Sequence, residues 1–211
     1  MRRRLRSGRL FFCRRVGATV NFLAHLYLSG DDPEILVGNM MGDFVKGVLN
    51  ASYPPRITKG LELHRRIDSF AGRHPSFIAS KRRISGDYGH YRGVLVDLYY
   101  DHFLAAEWDS FSDEPFEPFV AKAWRIMRAH DEILPGRLRA RLEEIFTQWL
   151  PSYRQVDGVA AVLRRMAARV GRPNPLAGGA VELALHYVEL RGDCFQFFPD
   201  ARRYVEGIVG A

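Results

Sequence analysis

The sequence predicts an all-α protein built as a single irregular helical bundle, and three observations carry that expectation. From Asn21 onward the apolar residues recur with a helical period, no alternating strand of useful length appears, and turn chemistry punctuates the chain at helix-length intervals. With 211 residues and 47% hydrophobic content, the chain has enough apolar material for one well-buried core and is too short for two full domains. One helical domain is expected over residues 20–211, behind a basic tail at 1–19.

Helices are expected near 21 to 29, 33 to 48, 55 to 72, 90 to 109, 115 to 134, 137 to 149, 153 to 170 and 177 to 205. The first two are separated by Ser29-Gly30-Asp31-Asp32-Pro33. Pro54 and Pro55 open the third at its first turn, where a missing N–H costs nothing. Ser85-Gly86-Asp87 precedes the fourth. In the fifth, Phe116, Phe119, Val120, Ala123, Trp124 and Met127 form one broad apolar stripe. Leu134-Pro135-Gly136 and Gly171-Arg172-Pro173 mark later junctions, and the last helix is expected to break near Pro199. No internal repeat or low-complexity segment is evident.

Composition excludes several function classes. No apolar run approaches the roughly 20 residues that span a bilayer, so membrane insertion is not expected. Cys13 and Cys194 form no CxxC or Cys/His cluster, which fits a reducing cytoplasm rather than a disulfide framework or structural zinc site. The formal charge of +7 lies entirely in the tail, where Arg2, Arg3, Arg4, Arg6, Arg9, Arg14 and Arg15 stand without an acid. The remainder is formally neutral, so no nucleic-acid partner is expected. The tail reads either as a basic surface or targeting segment, expected to be disordered, or as the product of a mis-assigned start, with translation beginning at Val20. There is no phosphate-binding GxxxxGK[ST] loop and no GxSxG elbow.

Two helices share a pattern that points to chemistry. In the third, Leu61, His64, Asp68 and Ala71 fall at i, i+3, i+7 and i+10; in the fourth, Val94, Asp97, Asp101 and Leu104 repeat the spacing. Carboxylates among apolar residues are costly unless compensated, and Asp97 and Asp101 at i, i+4 also repel one another. A divalent cation would resolve both costs, with His64 and Asp68 offering a nitrogen and an oxygen ligand from one side of a helix. The alternative is a salt-bridge cluster in which Arg65, Arg66 or Lys46 neutralises the acids while His64 hydrogen-bonds to a backbone carbonyl. His25 and Asp43 add a histidine and an acid in apolar surroundings, so all of these groups are expected to converge in one pocket.

The stretches NFLAHLYLSG, GNMMGDFVKG, HRRID, DLYYDHFLAAEW and FQFFPD, taken in order from about Asn21 to about Pro199, resemble the acyl carrier protein phosphodiesterase family, an outlying relative of the HD phosphohydrolases. The resemblance implies an HD-phosphohydrolase-like helical fold and metal-dependent release of 4'-phosphopantetheine from a holo acyl carrier protein, with Mn²⁺ as the ion. It places His25 at the first histidine of the HD pattern, Asp43 at the aspartate of the His-Asp doublet and Asp97 or Asp101 at the distant acid. The chain departs from the doublet, because Gly42 stands where the pattern has histidine. A ligand is therefore missing, or His64 with Asp68 replaces it.

In that scheme Asp101 or His102 takes up charge at the departing serine oxygen, and Arg65 and Lys46 hold phosphate oxygens. Arg66, Lys81, Arg82 and Arg83 form a basic rim for an acidic carrier protein. A literal doublet at His130-Asp131 lies outside the resembling stretches and reads as a decoy. Two other readings remain open: an HD-like phosphohydrolase acting on a nucleotide or another small phosphoester, and a non-catalytic helical module.

Overall fold

The computed structural model describes residues 21–49 and 52–209; the basic tail and the alternative start at Val20 lie outside the described residues. All the regular elements among the described residues are helical, with no strand among them, as the periodicity predicts. None of the described helices is long and apolar enough to cross a membrane.

The first helix, α1 (Phe22–Tyr27), has six residues, too few to be stable alone. It is held by burial of Phe22, Leu23 and Leu26, at about 1.5–3 kcal/mol for each large side chain. Asp32 then caps α2 (Pro33–Met41), accepting from the Glu34 and Ile35 N–H groups at 3.0 Å each, with Pro33 at the first helical position.

The helix expected to run to residue 48 stops at Met41. The Gly42 N–H donates to the Asn39 carbonyl, and those of Phe44 and Val45 donate to Met41, so the chain folds into a tight turn there. The following loop passes through Gly47 at φ +86°, and the Arg65 guanidinium ties it down by donating to the Gly47 carbonyl at 2.7 Å.

Helix α3 (Pro55–Ala71) is the closest partner of α2. Their approach depends on two glycines: a Cβ on Gly38 would lie 2.1 Å from the Ile57 carbonyl oxygen, and one on Gly60 would lie 2.3 Å from that of Ile35. Helix α4 (Pro75–Arg83) was not expected; His74 caps it, and Lys81, Arg82 and Arg83 form its last turn. Helix α5 (Tyr91–Ala106) is the buried centre, touching α1, α4 and later helices through residues such as Leu95, Tyr99 and Phe103.

Beyond it, α6 (Phe116–Ala129) presents the expected apolar stripe to the core. The segment expected as one helix from 137 is broken into α7 (Gly136–Arg139), α8 (Leu142–Glu144), a π turn at Ile145–Trp149 and α9 (Leu150–Ser152). Then come α10 (Val156–Arg169), α11 (Gly179–Leu185) and α12 (Tyr187–Val209). The expected break at Pro199 is corrected: α12 runs through it, and the interruption lies at His186. Pro199 sits on the exposed side of α12, where solvent can stand in for the missing ladder bond. The buried side chains from Phe22 to Val205 form one hydrophobic cluster.

Candidate metal centre

Three elements bring donors together: α1 supplies His25, the turn after α2 supplies Asp43, and α3 supplies His64 and Asp68. The two imidazoles stack nearly parallel, with ring centres 4.0 Å apart. Both Nε2 atoms face the same carboxylate, His25 at 3.5 Å from Asp68 Oδ1 and His64 at 3.6 Å from Asp68 Oδ2. Asp43 Oδ1 lies 3.7 Å from His64 Nε2. His25, His64 and Asp68 thus offer three ligand atoms within 4.8 Å of one another.

The other edge of each ring faces Asn39. His25 Nδ1 lies 2.8 Å from the Asn39 side-chain oxygen, and His64 Nδ1 lies 2.9 Å from the Asn39 main-chain carbonyl. The Asn39 amide group donates to the His25 carbonyl at 2.8 Å and to Ser29 Oγ at 2.9 Å. A carbonyl oxygen only accepts, so His64 carries its proton on Nδ1 and turns the Nε2 lone pair to the cluster when neutral. Asn21 also reaches the centre, its amide 3.1 Å from His25 Nε2.

Gly42 has a steric reason. A Cβ at that position would lie 2.0 Å from His64 Cγ, so the His64 ring fills the space a side chain on residue 42 would take.

The electrostatics of the cluster call for positive charge. Burial pushes the Asp43 carboxyl up, but His64 outweighs this through its hydrogen-bonding group and its charge and holds it below the ordinary carboxylate range. Burial likewise disfavours the His64 imidazolium, yet Asp43 first, then the charge of Asp68 and the Asn39 carbonyl, raise its pKa. A proton meets that demand at His64, and a cation would meet it in the proton's place. Ligands about 2.0–2.2 Å from an ion stand roughly 3 Å apart around it, close to the spacings found here. The mixed imidazole and carboxylate donors, presented as lone pairs by fixed rings, fit a divalent ion.

On α5, Asp101 is engaged with α1 rather than with the two histidines, which corrects its part in the expected convergence. Asp101 is fully buried and accepts from the Leu23 and Ala24 N–H groups at 3.0 and 2.8 Å, capping the N-terminus of α1 from a distant helix. Burial raises its pKa well above the ordinary value, offset in part by those two amides. Asp97, one turn earlier, is half-buried and bears on the Tyr100 and Asp101 side chains by charge. It is not part of the His25–His64–Asp68 group. His102 donates from Nδ1 to the Tyr153 carbonyl at 2.7 Å and accepts from the Tyr187 hydroxyl at 3.1 Å; burial lowers its pKa. Its hydrogen-bonding groups are engaged within the core, as the Asp101 oxygens are at the start of α1.

The cationic candidates divide. The Lys46 ammonium lies 3.5 Å from Asp43 and is largely exposed, whereas Arg65 is engaged with the loop carbonyls. Arg66, two positions past His64, projects from the opposite side of α3 into a groove with Leu49, Tyr53, Lys59 and Ile208. Arg83 pairs with Asp193 at 3.1 Å, Arg82 is exposed, and Lys81 is half-buried. The literal doublet is used locally: His130 Nδ1 donates to the Ile126 carbonyl, and Asp131 pairs with Arg139.

Sequence reasoning missed Asn39 and Asn21 as residues of the centre. The signal for Asn39 was a lone amide within the otherwise apolar run of α2, where an unpaired polar group would be costly.

Comparison with known proteins places this centre in context. Residues 20–201 match the family described as acyl carrier protein phosphodiesterase. The acyl carrier protein phosphodiesterase of Yersinia pestis is 31% identical over 189 residues, 89% of this chain and 98% of the relative. That of Photorhabdus laumondii is 31% identical over 182 residues, covering 85% of this chain and 92% of the relative. That of Escherichia coli O157:H7 is 32% identical over 182 residues, 85% and 94% of the two chains. No solved structure matches. With the match spanning most of the chain and all four donors of the centre, this protein belongs to the acyl carrier protein phosphodiesterase family.

Proposed function

We propose that this chain hydrolyses the phosphodiester joining 4'-phosphopantetheine to a serine of a holo acyl carrier protein, using a divalent ion, Mn²⁺, held by His25, His64, Asp68 and Asp43. The observation that carries the reading is the convergence of two Nε2 atoms on the Asp68 carboxylate in a chain of this family. When bound, the ion supplies positive charge beside the phosphoryl oxygens and makes water more acidic.

The chain's own residues provide the rest. His25 and His64 hold fixed lone pairs, so little reorganisation is needed on binding. Asp43 and Asp68 orient a water molecule for attack on phosphorus. Lys46, exposed and next to Asp43, takes a non-bridging oxygen or returns a proton to the departing serine oxygen, the role first expected of Asp101 or His102. Water is consumed, the bond from phosphorus to the serine oxygen breaks, and apo carrier protein and 4'-phosphopantetheine leave. Arg65 acts by holding the Lys46 loop, and the exposed Arg82 together with Lys81 forms the basic rim, with Arg66 and Arg83 as lesser members. The cysteine usage supports a cytoplasmic setting.

Mass spectrometry of a holo carrier protein incubated with the full chain and Mn²⁺ tests the proposal. Conversion to the apo mass, stopped by chelator, is the expected result. Unchanged holo protein alongside turnover of a nucleotide would overturn it.

A further inference from the structure

We propose that Asn39 is the positioning residue of the centre, a single residue that fixes the tautomer of both histidines, one through its side chain and the other through its main chain. The inference rests on the metal reading above and deepens it. A histidine serves as a ligand only through a nitrogen that carries no proton, and an imidazole in water favours the proton on Nε2, the wrong atom for this cluster. The structure corrects that preference twice within one residue. His25 Nδ1 meets the Asn39 side-chain oxygen at 2.8 Å, and His64 Nδ1 meets the Asn39 carbonyl at 2.9 Å.

The local fold makes both contacts available. Because α2 ends at Met41, the Asn39 carbonyl belongs to the last turn, where helical acceptors have spare capacity. It takes the Gly42 N–H at 3.2 Å and the His64 ring with its second lone pair. The side chain is held just as firmly. Asn39 is fully buried, and its amide nitrogen donates to the His25 carbonyl and to Ser29 Oγ, which itself donates to that carbonyl at 2.7 Å. With both donors spoken for, the oxygen can only face His25.

The chemistry also selects the residue type. Aspartate would offer the acceptor but no donor for the His25 carbonyl, and leucine would offer neither. Only a short amide supplies an acceptor and two donors from this position.

Two histidines anchored by different parts of one residue give a test that a merely structural role would not pass. The full chain, metal-free at alkaline pH, is labelled with ¹⁵N, and long-range ¹H–¹⁵N spectra read the tautomer of each histidine. In the native protein both His25 and His64 carry the proton on Nδ1; a native His25 protonated on Nε2 overturns the inference without any variant. In Asn39→Leu, His25 moves toward the Nε2–H form, while His64 keeps Nδ1–H because its acceptor is main chain. Calorimetric titration with Mn²⁺ alone then shows affinity reduced about 10- to 100-fold, the usual cost of losing a partner that orients a ligand. Mn²⁺ binding equal to the native protein's, or an unmoved His25 tautomer, contradicts the role given to Asn39. If the native chain binds no Mn²⁺ while its tautomers are as stated, the metal reading fails and the tautomer assignment stands.

Discussion

His64 and Asp68 on α3, and Asp97 and Asp101 on α5, share one spacing between apolar neighbours, yet the two pairs meet different surroundings. On α3 both members face a shared centre with His25 and Asp43, and Asp68 keeps 19% of its side chain exposed. On α5 the second member is fully buried and spends both oxygens on main-chain amides of α1. Spacing of four residues states that two groups share a helix face. It does not state what lies opposite, and that decides whether a buried carboxylate becomes a ligand or a cap.

The difference predicts opposite phenotypes. His64→Ala removes a donor and opens space beside Gly42, so hydrolysis of holo carrier protein falls by more than about 100-fold, beyond the loss expected for a residue that merely orients a ligand. The cavity left by the buried ring costs some stability, which a melt in chelator reads, but the loss of activity per folded molecule far exceeds it. Gly42→Ala reaches the same end by another route, since the new methyl overlaps the His64 ring; Mn²⁺ titration of the folded variant shows the loss.

Asp101→Ala inverts the pattern. Two buried N–H groups at the start of α1 lose their acceptors, which costs about 3 kcal/mol of stability in denaturant titration. Activity per folded molecule falls far less than in His64→Ala. A stable but inactive Asp101 variant would move the centre toward α5 and erase the contrast.

The smallest effect sharpens the glycine comparison. A Cβ on Gly93, in the first turns of α5, meets nothing within 4 Å, unlike one on Gly42. Gly93→Ala therefore leaves Mn²⁺ binding intact and raises stability by up to about 1 kcal/mol, the gain of alanine over glycine in a helix.

The helical class and most long helices were legible because each depends on local periodicity and on capping chemistry such as Asp32-Pro33. Helix α4 was not, since its nine residues end in three consecutive cations and bury little beyond Ser76, Phe77 and Ser80. Pro75 after His74 was the available signal, the same one that opens α2 and α3. The end of α2 was hidden for another reason: Phe44 and Val45 continue the apolar run, and only the tertiary use of the Asn39 carbonyl and the Gly42 turn shows why the helix stops.

In the centre, His25, Asp43, His64 and Asp68 were readable as ionisable groups in apolar company. Asp101 and His102 carried the same signal for a different cause, the amides and carbonyls of neighbouring segments, which no spacing reveals. Asn39 was passed over because an amide does not titrate, although it touches both rings.

The most direct measurement of the central claim is an anomalous-scattering map at the manganese edge from crystals of the full chain grown with Mn²⁺. A peak is expected between the Nε2 atoms of His25 and His64 and the Asp68 carboxylate, with Asp43 alongside. A peak beside Asp97 and Asp101, or none at the histidine pair, would contradict it.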